Sequence, residues 1–359
     1  MSHLTTSRVV FLHTADWQIG KPFAFVKDPA KRASLQARRL ESIRDLGEVA
    51  RARGAQFVVV AGDAFDSPRV TKSTISEACG AIGSIGLPVI LIPGNHDHAG
   101  EGCLWDQQFF LKEREQLAPN LLVLTRCQPL ELDQAVILPC PLLRRHEAGD
   151  PTEWLRSSDL EAESCSGKVR IVIAHGSVMD FGRRTEPDEA GGLVNFIDLD
   201  RLPKNQIDYI ALGDWHGTKQ VSQNAWYSGT PESDRFPKGI DHEMGNVLIV
   251  EASRGSEPKV DVVNVGGIQW HELDLTLPDG SSAADVSSEL TTRVGVRTSK
   301  DVLRINLRGI LGLEQCAELD SLMESFSSRV IHLDLENEIR PTPNDDELQQ
   351  LTRRAGDRA

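Results

Sequence analysis

Five short apolar runs in this chain each stop at side chains that can hold a metal ion. Val9–His13 runs into Thr14-Ala15-Asp16-Trp17-Gln18, and Phe57–Ala61 into Gly62-Asp63-Ala64-Phe65-Asp66. Val89–Ile92 stops at Pro93-Gly94 and then presents Asn95, His96 and Asp97. Val169–Ala174 ends at His175-Gly176, and Asp208–Leu212 at Gly213-Asp214-Trp215-His216. Runs this short and this rich in β-branched residues read as buried strands. Core packing accounts for the runs. It does not account for carboxylates and imidazoles at their ends, where Gly, Ser and Asn are the usual turn formers. Open α/β sheets keep their chemistry at such ends, so the pattern restricts the chain to folds that gather several of them.

Helical spacing separates the early runs. Residues 31–53 place Leu35, Leu40, Ile43, Leu46, Val49 and Ala50 on one broad face with Arg and Glu opposite, and Gly54 is a stop signal. Residues 72–84, 104–117 and 150–164 read as further helices. Such alternation predicts an α/β fold. After about Gly266 a β-α-β-α-β run follows, with strands at Trp270–Leu277, Val302–Leu307 and Val330–Leu335 and helices at Ala283–Arg293 and Glu314–Phe326. It carries no clustered His or Asp loop. These shifts predict a first domain at 1–265, a small α/β domain at 266–339 and a tail at 340–359.

Composition narrows the setting. Six scattered cysteines without a C-x-x-C pair argue against a zinc ribbon and a disulfide framework and fit a reducing cytoplasm. No apolar run approaches a membrane span, and the N-terminus has no signal-peptide layout. The net charge of -14 votes against non-specific nucleic-acid binding, which depends on Lys and Arg displacing counterions. Bound metal would neutralise part of that acidity.

The strand ends supply three carboxylates (Asp16, Asp63, Asp214), two histidines (His175, His216) and two amides (Gln18, Asn95). Mixed oxygen and imidazole donors suit Mn²⁺, Fe²⁺ or Zn²⁺ better than a calcium-like ion. The set is too large for one tetrahedral centre. It fits two cations about 4 Å apart sharing a carboxylate, the arrangement used to hydrolyse phosphoesters with an activated water. His96, beside Asn95, is the spare imidazole. It suits protonation of a leaving alkoxide, with Asp66 as the carboxylate to orient it.

The order D-x-(H/Q), G-D-x-x-D, G-N-H-D, H-G and G-(H/D)-x-H resembles the calcineurin-like metallophosphoesterases. Here it reads Asp16-Trp17-Gln18, Gly62 to Asp66, Gly94 to Asp97, His175-Gly176 and Gly213 to His216. His13-Thr14-Ala15-Asp16 and Tyr227-Ser228-Gly229-Thr230-Pro231 look like the DNA-repair exonuclease branch, the SbcD-like nucleases. The resemblance implies a β-sandwich flanked by helices in four αββα layers, with a small α/β capping domain. It implies that Asp63 bridges two divalent ions, Mn²⁺ first, with Fe²⁺ or Zn²⁺ as alternatives. Asp16, Gln18 and His216 would complete one site, and Asn95, His175 and Asp214 the other. His96 would be the acid, held by Asp66. DNA, an SMC-like ATPase of SbcC type and a second copy of the chain are the implied partners.

Gln18 and Asp214 depart from the pattern, since histidine is common at both positions. A neutral amide loosens one site, and an anionic oxygen ligand tightens the other. Three readings follow: a metal-dependent DNA exo/endonuclease, a phosphodiesterase or phosphatase of small nucleotides, and a catalytically weak scaffold or DNA-sensing subunit. No residue is assigned to substrate binding. His13, Trp17, Trp105, Trp215 and the Tyr227–Pro231 turn read first as packing groups, and Asp97 as a group that bonds its own loop backbone. Arg144-Arg145 and Arg183-Arg184 read as solvated surface.

Overall fold

The structure is a computed structural model that describes residues 7–343, apart from 161, 163–164, 179–193, 204, 238, 240–241, 279 and 296–297. Arg183-Arg184 and most of the expected tail lie outside the described residues. The chain packs into two units. One holds residues 7–23 and 34–267, the other residues 24–33 and 268–343.

The first unit opens with β1 (Arg8–Thr14), α1 (Pro29–Ala52), β2 (Phe57–Ala61), α2 (Lys72–Ser84) and β3 (Val89–Ile92). It continues with α3 (Gln108–Leu117), β4 (Leu121–Val123), β5 (Leu130–Glu131), β6 (Ala135–Cys140) and β7 (Val169–His175). A two-stranded pair, β8 (Ser177–Val178) and β9 (Phe196–Ile197), precedes β10 (Tyr209–Gly213), β11 (Lys219–Ser222) and β12 (Ala225–Tyr227). The antiparallel hairpin β13 (Asn246–Ser253) and β14 (Lys259–Asn264) closes it.

Two six-stranded sheets result, in the orders β14-β13-β1-β2-β3-β4 and β11-β12-β10-β7-β6-β5. Strand parity explains how they pack. In β2, Phe57, Val59 and Ala61 join Ile171, Ile173, Tyr209 and Ala211 of the other sheet in one apolar core. Val58 and Val60 point the opposite way, to Ile43 and Leu46 of α1 and Ile75 and Ile82 of α2. In the second sheet, Val172, Ala174, Ile210 and Leu212 turn outward to Leu155, Leu202 and Ile207. Strands buried on both faces read as continuous apolar runs. The result is the sandwich expected for a metallophosphoesterase. Its fourth layer is thin: among the described residues, the expected helix over 150–164 shrinks to a 3₁₀ turn at Glu153–Arg156. Leu155 anchors that turn in the core of the second sheet's outer face.

The second unit is a parallel sheet of β15 (Gln269–Leu277), β16 (Asp301–Leu311) and β17 (His332–Pro341) with α4 (Ala283–Arg293) and α5 (Leu313–Arg329). Leu273, Leu275, Ile305 and Leu307 meet Val286, Leu290, Met323 and Phe326 in its core. The sequence boundary left residues 24–33 in the first domain. Here they belong to the second unit, where the Phe25 ring lies 5.0 Å from that of His332.

Candidate metal centre

The strand ends meet because the strands bearing them are parallel within each sheet. β1, β2 and β3 run side by side and deliver Asp16, Asp63 and Asn95. β7 and β10 pair in parallel with His175 opposite Gly213, which delivers His175 and Asp214. Main-chain bonds zip the first two loops together: Asp16 N donates to Gly62 O at 3.1 Å and Gln18 N to Asp63 O at 2.9 Å.

The backbone at these positions is unusual. Asp16, Gln18, Asp63 and Asp214 have φ of 53°, 42°, 53° and 102°. Left-handed non-glycine residues cost on the order of 1–3 kcal/mol each and persist where the surroundings over-determine them. The strain aims four polar side chains inward.

Asp16, Asp63 and His175 are buried, and one ligand atom from each lies within 4.8 Å of the others. His175 Nδ1 donates to Ala61 O at 2.8 Å, which leaves the Nε2 lone pair facing the cluster. That nitrogen is 3.5 Å from Asp63 Oδ1 and 3.9 Å from Asp214 Oδ1. Burial pulls the His175 imidazolium down, but Asp63, Asp16 and Asp214 outweigh it and raise its pKa to about 9. Burial, opposed by His216 and His175, lifts the Asp16 carboxyl to about 6. Three carboxylates packed around two imidazoles form a site that a divalent cation would neutralise by displacing protons.

Asn95 gives an independent test of fit. Its side-chain oxygen faces His175 Nε2 at 2.9 Å and the Asp63 carboxylate at 3.1 and 3.3 Å. Two arrangements satisfy such neighbours: an NH₂ group donating to them, or an oxygen sharing a cation with them. In the second arrangement Asp63, Asn95, His175 and Asp214 would together hold a divalent ion.

On the other side, His216 Nε2 lies 4.0 Å from Asp16 Oδ1 and 3.2 Å from Gln18 Nε2. His216 Nδ1 donates to Asp234 Oδ1 at 3.1 Å. Asp234 is fully buried; despite burial, His216, Lys21 and Arg235 hold its carboxyl well below the usual range. His96 reaches the same cavity, with Nε2 4.0 Å from Asp63 Oδ2. Its Nδ1 donates at 2.7 Å to the main-chain carbonyl of Asp66. This corrects the expectation that the Asp66 carboxylate orients it. That carboxylate turns instead toward Lys21, 3.6 Å away. The cavity measures about 310 Å³ and is lined by Gln18, Lys21, His96, Asp214, His216 and Arg235, among others.

The residues expected to pack do so. Asp97 accepts from Gly94 N at 2.7 Å and Phe65 N at 3.1 Å, clamping two ligand loops. Burial and the nearby Asp63 charge lift its carboxyl to about 7 against those two bonds. His13 bonds Tyr209, and burial lowers its pKa to about 3. Tyr227 Oη donates to Gly176 O and accepts from Val178 N, pinning the chain just after His175. Four supporting residues were not foreseen: Lys21, Arg39, Asp234 and Arg235. A signal existed for Lys21 alone. Gly20, with φ 88°, completes a turn in which Lys21 N bonds Gln18 O.

A search of curated proteins returns no match. Among solved structures, TT1561 of Thermus thermophilus is similar at 12% identity and a TM-score of 0.43, over 73% of this chain and all of that one. A second solved structure aligns at 14% identity and a TM-score of 0.43, over 72% of this chain and 99% of its own. Likenesses that loose carry no argument about activity. The model of one family matches residues 9–244, a span holding every strand-end motif, and by that match the chain belongs to the calcineurin-like phosphoesterases.

Proposed function

We propose that this chain is a metal-dependent DNA exo/endonuclease of DNA repair or defence, acting in the cytoplasm beside an SMC-like ATPase. Family membership makes it a metal-dependent phosphoester hydrolase, and the family typically binds two divalent ions. The observation that carries the reading is the buried Asp16–Asp63–His175 cluster with the His96 imidazole beside it in an open cavity. Bound divalent cations would supply Lewis acidity and a water of lowered pKa. Mn²⁺ fits the donor set first, with Fe²⁺ and Zn²⁺ as alternatives.

The chain's own groups divide the remaining work. Asp63 stands between the two donor sets, its carboxylate fixed by the His96 N–H at 2.9 Å. Asp16 is fixed by the Asp214 N–H at 3.2–3.3 Å. Asp234 orients His216, as Ala61 O orients His175. His96, with Nδ1 committed to Asp66 O, keeps Nε2 for a proton delivered to the leaving oxygen. The DNA substrate is supported by the two stretches that resemble the SbcD-like branch and by the second α/β unit. An SbcC-type partner and a homodimer rest on the same likeness. A small nucleotide phosphodiester is the second reading, favoured by the modest cavity and the acidic charge.

The test is cleavage of linear single- and double-stranded DNA with and without Mn²⁺, beside a cyclic nucleotide and an Asp63→Asn control. Manganese-dependent DNA cleavage lost in the control is the expected result. Turnover of the cyclic nucleotide with intact DNA would replace the nuclease by the second reading. If the chain cuts neither, alone or with an ATPase partner, the scaffold reading takes its place.

A further inference from the structure

The Gln18 amide is turned the wrong way for a ligand. Its oxygen accepts from Lys21 Nζ at 2.7 Å, and its nitrogen faces His216 Nε2 at 3.2 Å. An amide nitrogen has no lone pair to offer a cation. Turning the oxygen inward would set the amide NH₂ against the Lys21 ammonium, two donors in contact. Lys21 cannot readily withdraw. Its other partners are Asp234 Oδ2 at 2.9 Å and Asp66 Oδ1 at 3.6 Å, and three oxygens match the three N–H groups of an ammonium. The donors left around His216 are Asp16, Asp63 and His216. The opposite side keeps Asp63, Asn95, His175 and Asp214.

We infer that Lys21 locks Gln18 out of coordination, so that the chain takes one divalent cation tightly at Asn95–His175–Asp214 and a second one much more weakly beside His216. The inference rests on the metal-dependent reading above and sets an order of loading within it. Asp234 is the hub, since it holds both Lys21 and the ring of His216. The same carboxylate that orients one ligand through Oδ1 thereby holds, through Oδ2, the lysine that disables its neighbour.

The experiment is a Mn²⁺ titration of the full chain followed by calorimetry and by EPR, where two adjacent ions give an exchange-coupled spectrum. The wild type should bind a first ion at least tenfold more tightly than a second, with an uncoupled spectrum at one equivalent. Gln18→Ala should leave both affinities within threefold, because the amide contributes no ligand. Lys21→Met combined with Gln18→His should tighten the second ion at least tenfold and produce coupling at two equivalents. Two equally tight ions in the wild type, or a second-ion affinity that falls tenfold in Gln18→Ala, would overturn the lock while leaving the hydrolase reading intact. No tight ion in the wild type would remove the metal reading and the lock together. Should the double variant fail to fold, the wild type and Gln18→Ala still decide.

Discussion

Gly94 has no room for a methyl group. A Cβ there would stand 2.2 Å from Asp63 Oδ1 and 2.6 Å from Asp63 N, and the second of these atoms is main chain that cannot swing aside. Gly213 is as tight, with a Cβ 1.9 Å from Ala61 O. Gly94 therefore lets two neighbouring ligand loops of one sheet touch, and Gly213 lets the two sheets approach each other beside the ligands. Gly94→Ala should destabilise the protein by about 1–3 kcal/mol through overpacking. It should also weaken Mn²⁺ binding more than tenfold by displacing Asp63. Urea denaturation and calorimetry check the two parts separately. Unchanged Mn²⁺ affinity would mean that Asp63 is not a ligand.

At the scale of the element, α1 does more than cover a sheet. Arg39 is buried on it and donates to Trp17 O at 2.7 Å, Glu232 O at 3.1 Å, Asp16 O at 3.2 Å and Thr230 Oγ1 at 3.1 Å. Its guanidinium ties the Asp16 loop to the segment that carries Asp234. Arg39→Leu would leave the Trp17 and Asp16 carbonyls unpaired, at about 1 kcal/mol or more each, so a loss of about 2 kcal/mol or more is expected in urea denaturation. Charge at a helix position normally marks the solvent face, which is why this arginine reads as surface in the sequence. Strand ends were legible because a buried strand ending in Asp or His contradicts core packing alone. Helices α2 and α4 were legible to the residue from their apolar spacing. Asp234 and Arg39 were not, since the His216 ring that Asp234 holds lies 18 residues away in sequence and the groups that the Arg39 side chain bonds lie 22 or more away. The Asp66 role was misjudged because a main-chain carbonyl leaves no mark on composition.

For the molecule as a whole, the centre lies where two sheets meet. Asp16, Asp63 and Asn95 come from one sheet, His175 and Asp214 from the other. A cation held there is a clasp between halves that are far apart in sequence, and it cannot close until both halves have docked. Binding should therefore act on the rate of leaving the native state. Mn²⁺ at a hundred times its Kd adds about 2.7 kcal/mol, enough to slow unfolding about 100-fold. Refolding in stopped-flow should proceed at the same rate with or without the ion. Faster refolding in Mn²⁺ would place the clasp in the transition state. The parallel strand ends that bring the ligands together would thus also set the lifetime of the fold: an ion bound for the chemistry would keep the sandwich from opening.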